Sequence, residues 1–166
     1  IAPLFNDYQP VPPGEVRDAV EAMAIDAGIP TDRVFMYDGS RQSNNFTANV
    51  AGIGDAARIA ISDVALDEAT LDEVKAVTGH EIGHYKLGHV WDGVFLTIVI
   101  VMASFFIADK AFNPVARLFG AREDIGDPST LPVLLFLVGV ITMFTQPVSN
   151  TLSRMNETEA DHYSYE

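Results

Sequence analysis

No cysteine occurs among the 166 residues, which excludes disulfides and any thiolate-held metal or cluster. A metal here would have to be bound by imidazole and carboxylate. Basic residues are scarce as well: 10 Lys and Arg stand against 23 Asp and Glu, a net charge of −13. Nucleic-acid binding requires clustered cations to meet phosphates, so this balance argues for no nucleic-acid partner. No charged segment followed by an apolar run opens the chain, so no signal peptide is visible. The chain starts at Ile1 and stops at Glu166 inside an expected helix, and it reads as a piece of a longer protein. Internal repeats and low-complexity tracts are also missing. What is plentiful is apolar surface, with 48% hydrophobic residues.

That surface is distributed unevenly. Residues 1–92 read as a mixed α/β segment. Ile1–Phe5 and Pro10–Gly14 are a Pro-rich extended lead-in. Glu15 to Ala27 carries apolar residues at spacings of three and four, and Gly28 and Pro30 end it as a helix. Three strands are expected at Val34–Tyr37, Phe46–Ile53 and Arg58–Ser62, the last two joined as a hairpin through Gly54-Asp55. A helix should begin at Thr70, where Thr70-Leu-Asp-Glu73 is a capping-box pattern, and should continue to about His89. Residues 93–108 and 129–153 then carry no charge. A bilayer crossing takes roughly 20 residues. The second stretch is long enough, and the first reaches that length only with help from Val90 and Trp91. We therefore expect a transmembrane hairpin over 93–152, with a pair of buried core helices as the alternative. Residues 153–166 read as a separate polar helix.

The chemistry concentrates on the helix from Thr70. His80-Glu81-Ile82-Gly83-His84 is an HExxH sequence, and residues four apart on a helix share a face. His80 and His84 can offer two imidazole nitrogens to one ion, with Glu81 placed to take a proton from an activated water. Zinc suits nitrogen and oxygen ligands, and a catalytic zinc needs a third protein ligand and one open position. On a continuous helix His89 would lie about 140° round from His84, which makes it a helix-end or packing residue. The acid-rich segment after the apolar stretches supplies better donors. Glu157 and Asp161 are four apart and share a face, so that one can bind metal while the other supports a ligand histidine. Glu159 lies about 200° round from Glu157 and is the weaker ligand, and His162 is expected to face solvent. Two membrane crossings would return residues 154–161 to the side that holds His80 and His84.

At these residues the chain resembles the type I CAAX prenyl endopeptidases, membrane zinc peptidases related to the HtpX-type heat-shock proteases. His80 through His89 is similar to that family's extended zinc-helix motif. Ser153-Arg154, Glu157 and Ala160-Asp161 are similar to its second motif, and Ile1–Phe5 and Asp38-Gly39-Ser40 to its approach to the catalytic domain. The resemblance implies an α+β, mainly helical, zincin-like domain: a small antiparallel sheet plus the zinc helix, joined to a transmembrane helical hairpin. It implies one Zn²⁺ on His80, His84 and Glu157, with Glu81 catalytic and Asp161 and Arg154 in support. It also implies a substrate-binding strand with Phe46, Thr47, Ala48 and Asn49, where Thr47-Ala48 departs from the family's usual Asn-Ala. The implied partners are a lipid bilayer and a peptide or prenylated protein substrate cleaved near its C-terminus. The implied location is a bacterial inner membrane, or the endoplasmic reticulum in a eukaryote. Two other readings stay open: a broad quality-control protease of the heat-shock type, and a non-catalytic membrane scaffold that binds metal.

Overall fold

A computed structural model describes residues 6–43, 46–52 and 54–165. The lead-in at Ile1–Phe5, Asn45 and the expected strand end at Ile53 lie outside the described residues. The chain divides into two compact units, Ile1–His89 with Asn156–Glu166, and Val90–Met155.

In the first unit, helix α1 spans Glu15–Ala27 and buries Val20, Ala24 and Ala27 along one stripe, as its spacing dictates. Gly28 ends it in a left-handed conformation at φ 72°. The Ile29 and Gly28 N–H groups then donate back to Ala24 and Ile25, closing a Schellman motif. Four strands follow the order β1-β2-β4-β3. They are β1 (Tyr8–Pro10), β2 (Val34–Tyr37), β3 (Ala48–Ala51) and β4 (Arg58–Ser62). The extended lead-in thus includes a strand of its own, and the expected strand over 46–53 is shorter than the sequence indicated.

The sheet is mixed, which corrects the expectation of an antiparallel one. β1 with β2 and β3 with β4 run antiparallel, but β2 and β4 are parallel. Burial explains the arrangement. Four consecutive β4 residues, Ile59 to Ser62, are buried, so β4 takes a central place where both faces are covered. The less buried β3 is left at the edge. The hairpin between them forms as expected.

Ile59 and Ile61 share a core with Val20, Ala24, Val74 and Ile82, which fixes α1 and α3 against one face of the sheet. A short helix α2 (Asp63–Glu68), unforeseen in the sequence, follows β4 directly. Helix α3 spans Leu71–Leu87 and starts at the anticipated capping box. The Glu73 N–H donates to Thr70 Oγ1 at 3.3 Å and the Thr70 N–H to Glu73 Oε2 at 2.8 Å. It ends two residues sooner than expected, at Gly88 with φ 77°. His89 therefore opens the next helix and does not close this one.

The second unit contains most of two long helices, α4 (His89–Leu118) and α5 (Leu131–Tyr165). The first apolar stretch is thus part of a 30-residue helix, long enough to cross a bilayer. The most apolar window of α4 has no buried residue, and that of α5 is 11% buried. A small cluster of Phe112, Ala116, Val133 and Leu137 packs inside this unit. Hydroxyls within the helices are satisfied locally: Ser104, Thr142 and Thr151 donate to the carbonyls of Ile100, Val138 and Pro147 at 2.7–2.8 Å. That is how a polar side chain sits in an apolar helix. The polar segment from Arg154 is not a separate helix. It continues α5, whose last turns belong to the first unit.

Candidate metal centre

Helix α3 and the end of α5 approach closely because glycine stands where they touch. A Cβ built on Gly83 would lie 3.1 Å from Ala160 Cα and 3.1 Å from Tyr163 Cβ. One on Gly79 would lie 3.4 Å from Ser164 Cα. Gly79 and Gly83, one turn apart, thus receive Ser164 and Ala160, also one turn apart. This fit brings Glu157 over the two histidines.

Glu157 Oε2 lies 3.3 Å from His80 Nε2 and 3.7 Å from His84 Nε2, and the two imidazole nitrogens are 3.1 Å apart. The outer ring nitrogens are engaged elsewhere. His80 Nδ1 is 2.8 Å from Asp161 Oδ1, and His84 Nδ1 is 2.9 Å from His89 Nδ1. His80 must donate from Nδ1 to a carboxylate, so in its neutral form its Nε2 carries a lone pair. Two imidazole nitrogens and a carboxylate oxygen therefore converge on one point, a donor set that calls for a cation between them. Zinc bonds of 2.0–2.2 Å in a tetrahedron place ligand atoms roughly 3.4 Å apart, and the three observed separations bracket that value. The residues present fit such an ion.

Glu81, between the two histidines in sequence, is half-buried. Burial is the main influence on it and pushes its carboxyl above the usual glutamate range. His84 and His80 pull it down, Glu157 pushes it up, and an N–H from Val50 pulls it down. The Val50 contact links the site to the sheet edge. Ser62 N donates to Thr47 O at 2.9 Å, so in the β3–β4 register Thr47, Asn49 and Ala51 turn their backbone groups toward β4. Ala48 and Val50 then direct theirs to the open edge. Of the expected strand residues, Ala48 and Asn49 lie in β3. Phe46 packs partly buried against the core. The Thr47 N–H donates to Ser62 Oγ at 3.1 Å, and its hydroxyl lies 2.5 Å from Tyr37 Oη. Arg154 lies on α5 in the second unit, exposed. His162 is exposed too.

Sequence reasoning made Glu159 the weaker ligand candidate and His89 a helix-end or packing residue, and did not pair the two. His89 is buried, and its Nε2 lies 3.3 Å from Glu159 Oε2. Gly88 was the signal: a glycine after the last helical residue marks a C-terminus, and the 140° phase argument fails once the helix breaks there.

The sequence model of peptidase family M48 matches residues 10–166. The chain belongs to peptidase family M48. Among similar proteins, an uncharacterized metalloprotease of Bacillus subtilis, YhfN, is 34% identical over 169 residues, covering 100% of this chain and 40% of that protein. CAAX prenyl protease 1 of Saccharomyces cerevisiae is 26% identical, covering 99% of this chain and 40% of that protein. The Arabidopsis thaliana homologue of CAAX prenyl protease 1 is 30% identical. The crystal structure of S. mikatae Ste24p shares the fold, with a TM-score of 0.78 at 24% identity over 98% of this chain and 42% of that one. The chain thus spans about two-fifths of the length of the relatives it matches. An M48 metalloprotease implies a bound metal, and His80, His84 and Glu157 are a group that could hold one.

Proposed function

We propose that this M48 chain is the catalytic part of a zinc-dependent endopeptidase of the gluzincin type, with a zincin-like site at a membrane and prenylated C-terminal peptides as substrates. The observation that carries the reading is the convergence of His80 Nε2, His84 Nε2 and Glu157 Oε2, with Glu81 beside them. The names of the CAAX prenyl protease relatives support the substrate class. The length and apolar character of α4 and α5 support a bilayer partner, with residues 93–152 as the embedded hairpin.

His80, His84 and Glu157 would hold one Zn²⁺, which when bound supplies a Lewis acid for the scissile carbonyl and lowers the pKa of water. Glu81 takes the proton from the attacking water and passes it to the leaving amine. Burial raises the Glu81 carboxyl above the ordinary glutamate range, which makes its carboxylate a stronger base toward the attacking water. Asp161 holds the His80 ring by its Nδ1. The substrate joins the open edge of β3 as an added strand, pairing with the backbone of Ala48 and the carbonyl of Val50, whose N–H faces Glu81. Phe46, Thr47 and Asn49 frame that edge.

The test uses the full-length protein in liposomes with a farnesylated CAAX peptide. Cleavage should cease with a chelator and return with zinc. Glu81→Gln should lower kcat by about 10²- to 10⁴-fold while zinc content by mass spectrometry stays at one ion. A variant cleaving at the parental rate would remove Glu81 from the chemistry. Equal cleavage of an unprenylated peptide would move the substrate class toward broad quality control.

A further inference from the structure

We propose that His89 and Glu159 form a relay that positions His84, so that each ligand histidine is held from behind by a carboxylate, one directly and one through a second imidazole. The inference rests on the reading of His80, His84 and Glu157 as ligands.

The hydrogen-bond directions leave little choice. Glu159 accepts only, so the 3.3 Å contact makes His89 Nε2 the donor. A neutral His89 then has a lone pair on Nδ1. The 2.9 Å contact with His84 Nδ1 requires His84 to donate there, which places the His84 lone pair on Nε2, facing His80 and Glu157. The tautomer that ligation needs is therefore imposed from Glu159 through His89. On the other side Asp161 imposes the same tautomer on His80 at 2.8 Å.

The backbone supports this role. Gly88 turns the chain at φ 77°, and that turn brings the first residue of α4 back over the last turn of α3. The His89 side chain is 4% exposed and sits edge-on to His84, with ring centroids 5.0 Å apart. Burying an imidazole costs free energy unless its nitrogens are hydrogen-bonded, and both are. On α5 the three acids divide the work by position. Glu157 faces the lone pairs, Asp161 one turn on takes His80, and Glu159, on another side of the helix, reaches His89. The direction that makes Glu159 a poor ligand is the one that lets it serve the relay.

Outer partners of ligand histidines typically contribute about 10- to 100-fold in metal affinity. Zinc affinity of the full-length protein in detergent would be measured by competition with a chromogenic chelator, alongside the visible absorption of the cobalt(II) form. His89→Ala should weaken zinc by about 10- to 100-fold and alter the cobalt spectrum. His89→Asn places an oxygen acceptor near the Nδ1 position and should restore affinity to within about 5-fold of the parent, on the same scale. Glu159→Gln should weaken zinc in the parent but not in the His89→Asn background, where the relay is bypassed. Glu159 is 58% exposed, so this variant carries the test even if His89→Ala does not fold. Parental zinc affinity in both Glu159→Gln and folded His89→Ala would overturn the relay and leave the ligand assignment standing. A parent that binds no zinc would overturn both.

Discussion

The two units treat their apolar residues in opposite ways. In the unit around the histidines, Ile59, Ile61 and Ile82 are at most 1% exposed, packed among sheet and helices. Between residues 90 and 155, Phe105 is 74% exposed and Met102 68%, although the same residue types are abundant. The first pattern is that of a chain whose solvent is water. The second fits a chain whose surroundings are themselves apolar, as a bilayer would be. Burial by the protein's own atoms therefore separates the two units.

Paired substitutions can break this contrast. Ile59→Ala should cost about 2–5 kcal/mol, the usual penalty for emptying a packed site, whereas Phe105→Ala removes a side chain that meets few protein atoms. Unfolding in detergent followed by circular dichroism should show a large loss for the first and little for the second. Equal losses would mean that α4 is packed against protein. Gly83→Ala should cost about 1–3 kcal/mol through overpacking, since its Cβ would press on Ala160 and Tyr163, and the displacement of α5 should weaken zinc binding. Gly93→Ala in α4 meets nothing within 4 Å and should be neutral or stabilising by up to about 1 kcal/mol, the helix-propensity difference. The smallest effect concerns charge. Glu81 is raised above the ordinary glutamate value, so the folded metal-free protein binds its proton more readily than the unfolded chain does. Ionisation of Glu81 therefore opposes folding as pH rises. In metal-free protein Glu81→Gln should raise the melting temperature slightly at pH 7, and the gain should shrink as pH falls through the glutamate range. A gain that grows on acidification would reverse the assigned direction.

Much of this was legible from residue patterns, where the cause is local. Thr70 and Glu73 announce the start of α3 because a capping box involves only four residues. The α1 boundaries and the strands at 34–37 and 58–62 follow from short-range periodicity and turn residues. His80 and His84 share a face by helix geometry alone. The features not legible depend on who packs next to whom. The central place of β4, where four consecutive residues are buried, and its parallel pairing with β2 are properties of the assembled sheet. The full length of α4 was not seen because the uncharged stretch was bounded at residue 108, whereas the helix runs from His89 to Leu118. His89 is buried at a helix end, as expected, but the helix it begins was not seen because a phase argument was carried across Gly88, where α3 stops.

The unpaired rim of β3 has a practical consequence. Among the described residues no strand lies beyond it, so the Ala48 backbone and the Val50 carbonyl offer groups that an extended chain can zip onto. A rim that welcomes a guest peptide welcomes a second copy of itself equally well. Excised from its natural surroundings, the histidine-bearing half would be prone to self-association by strand exchange, and a short blocking peptide would be the natural remedy.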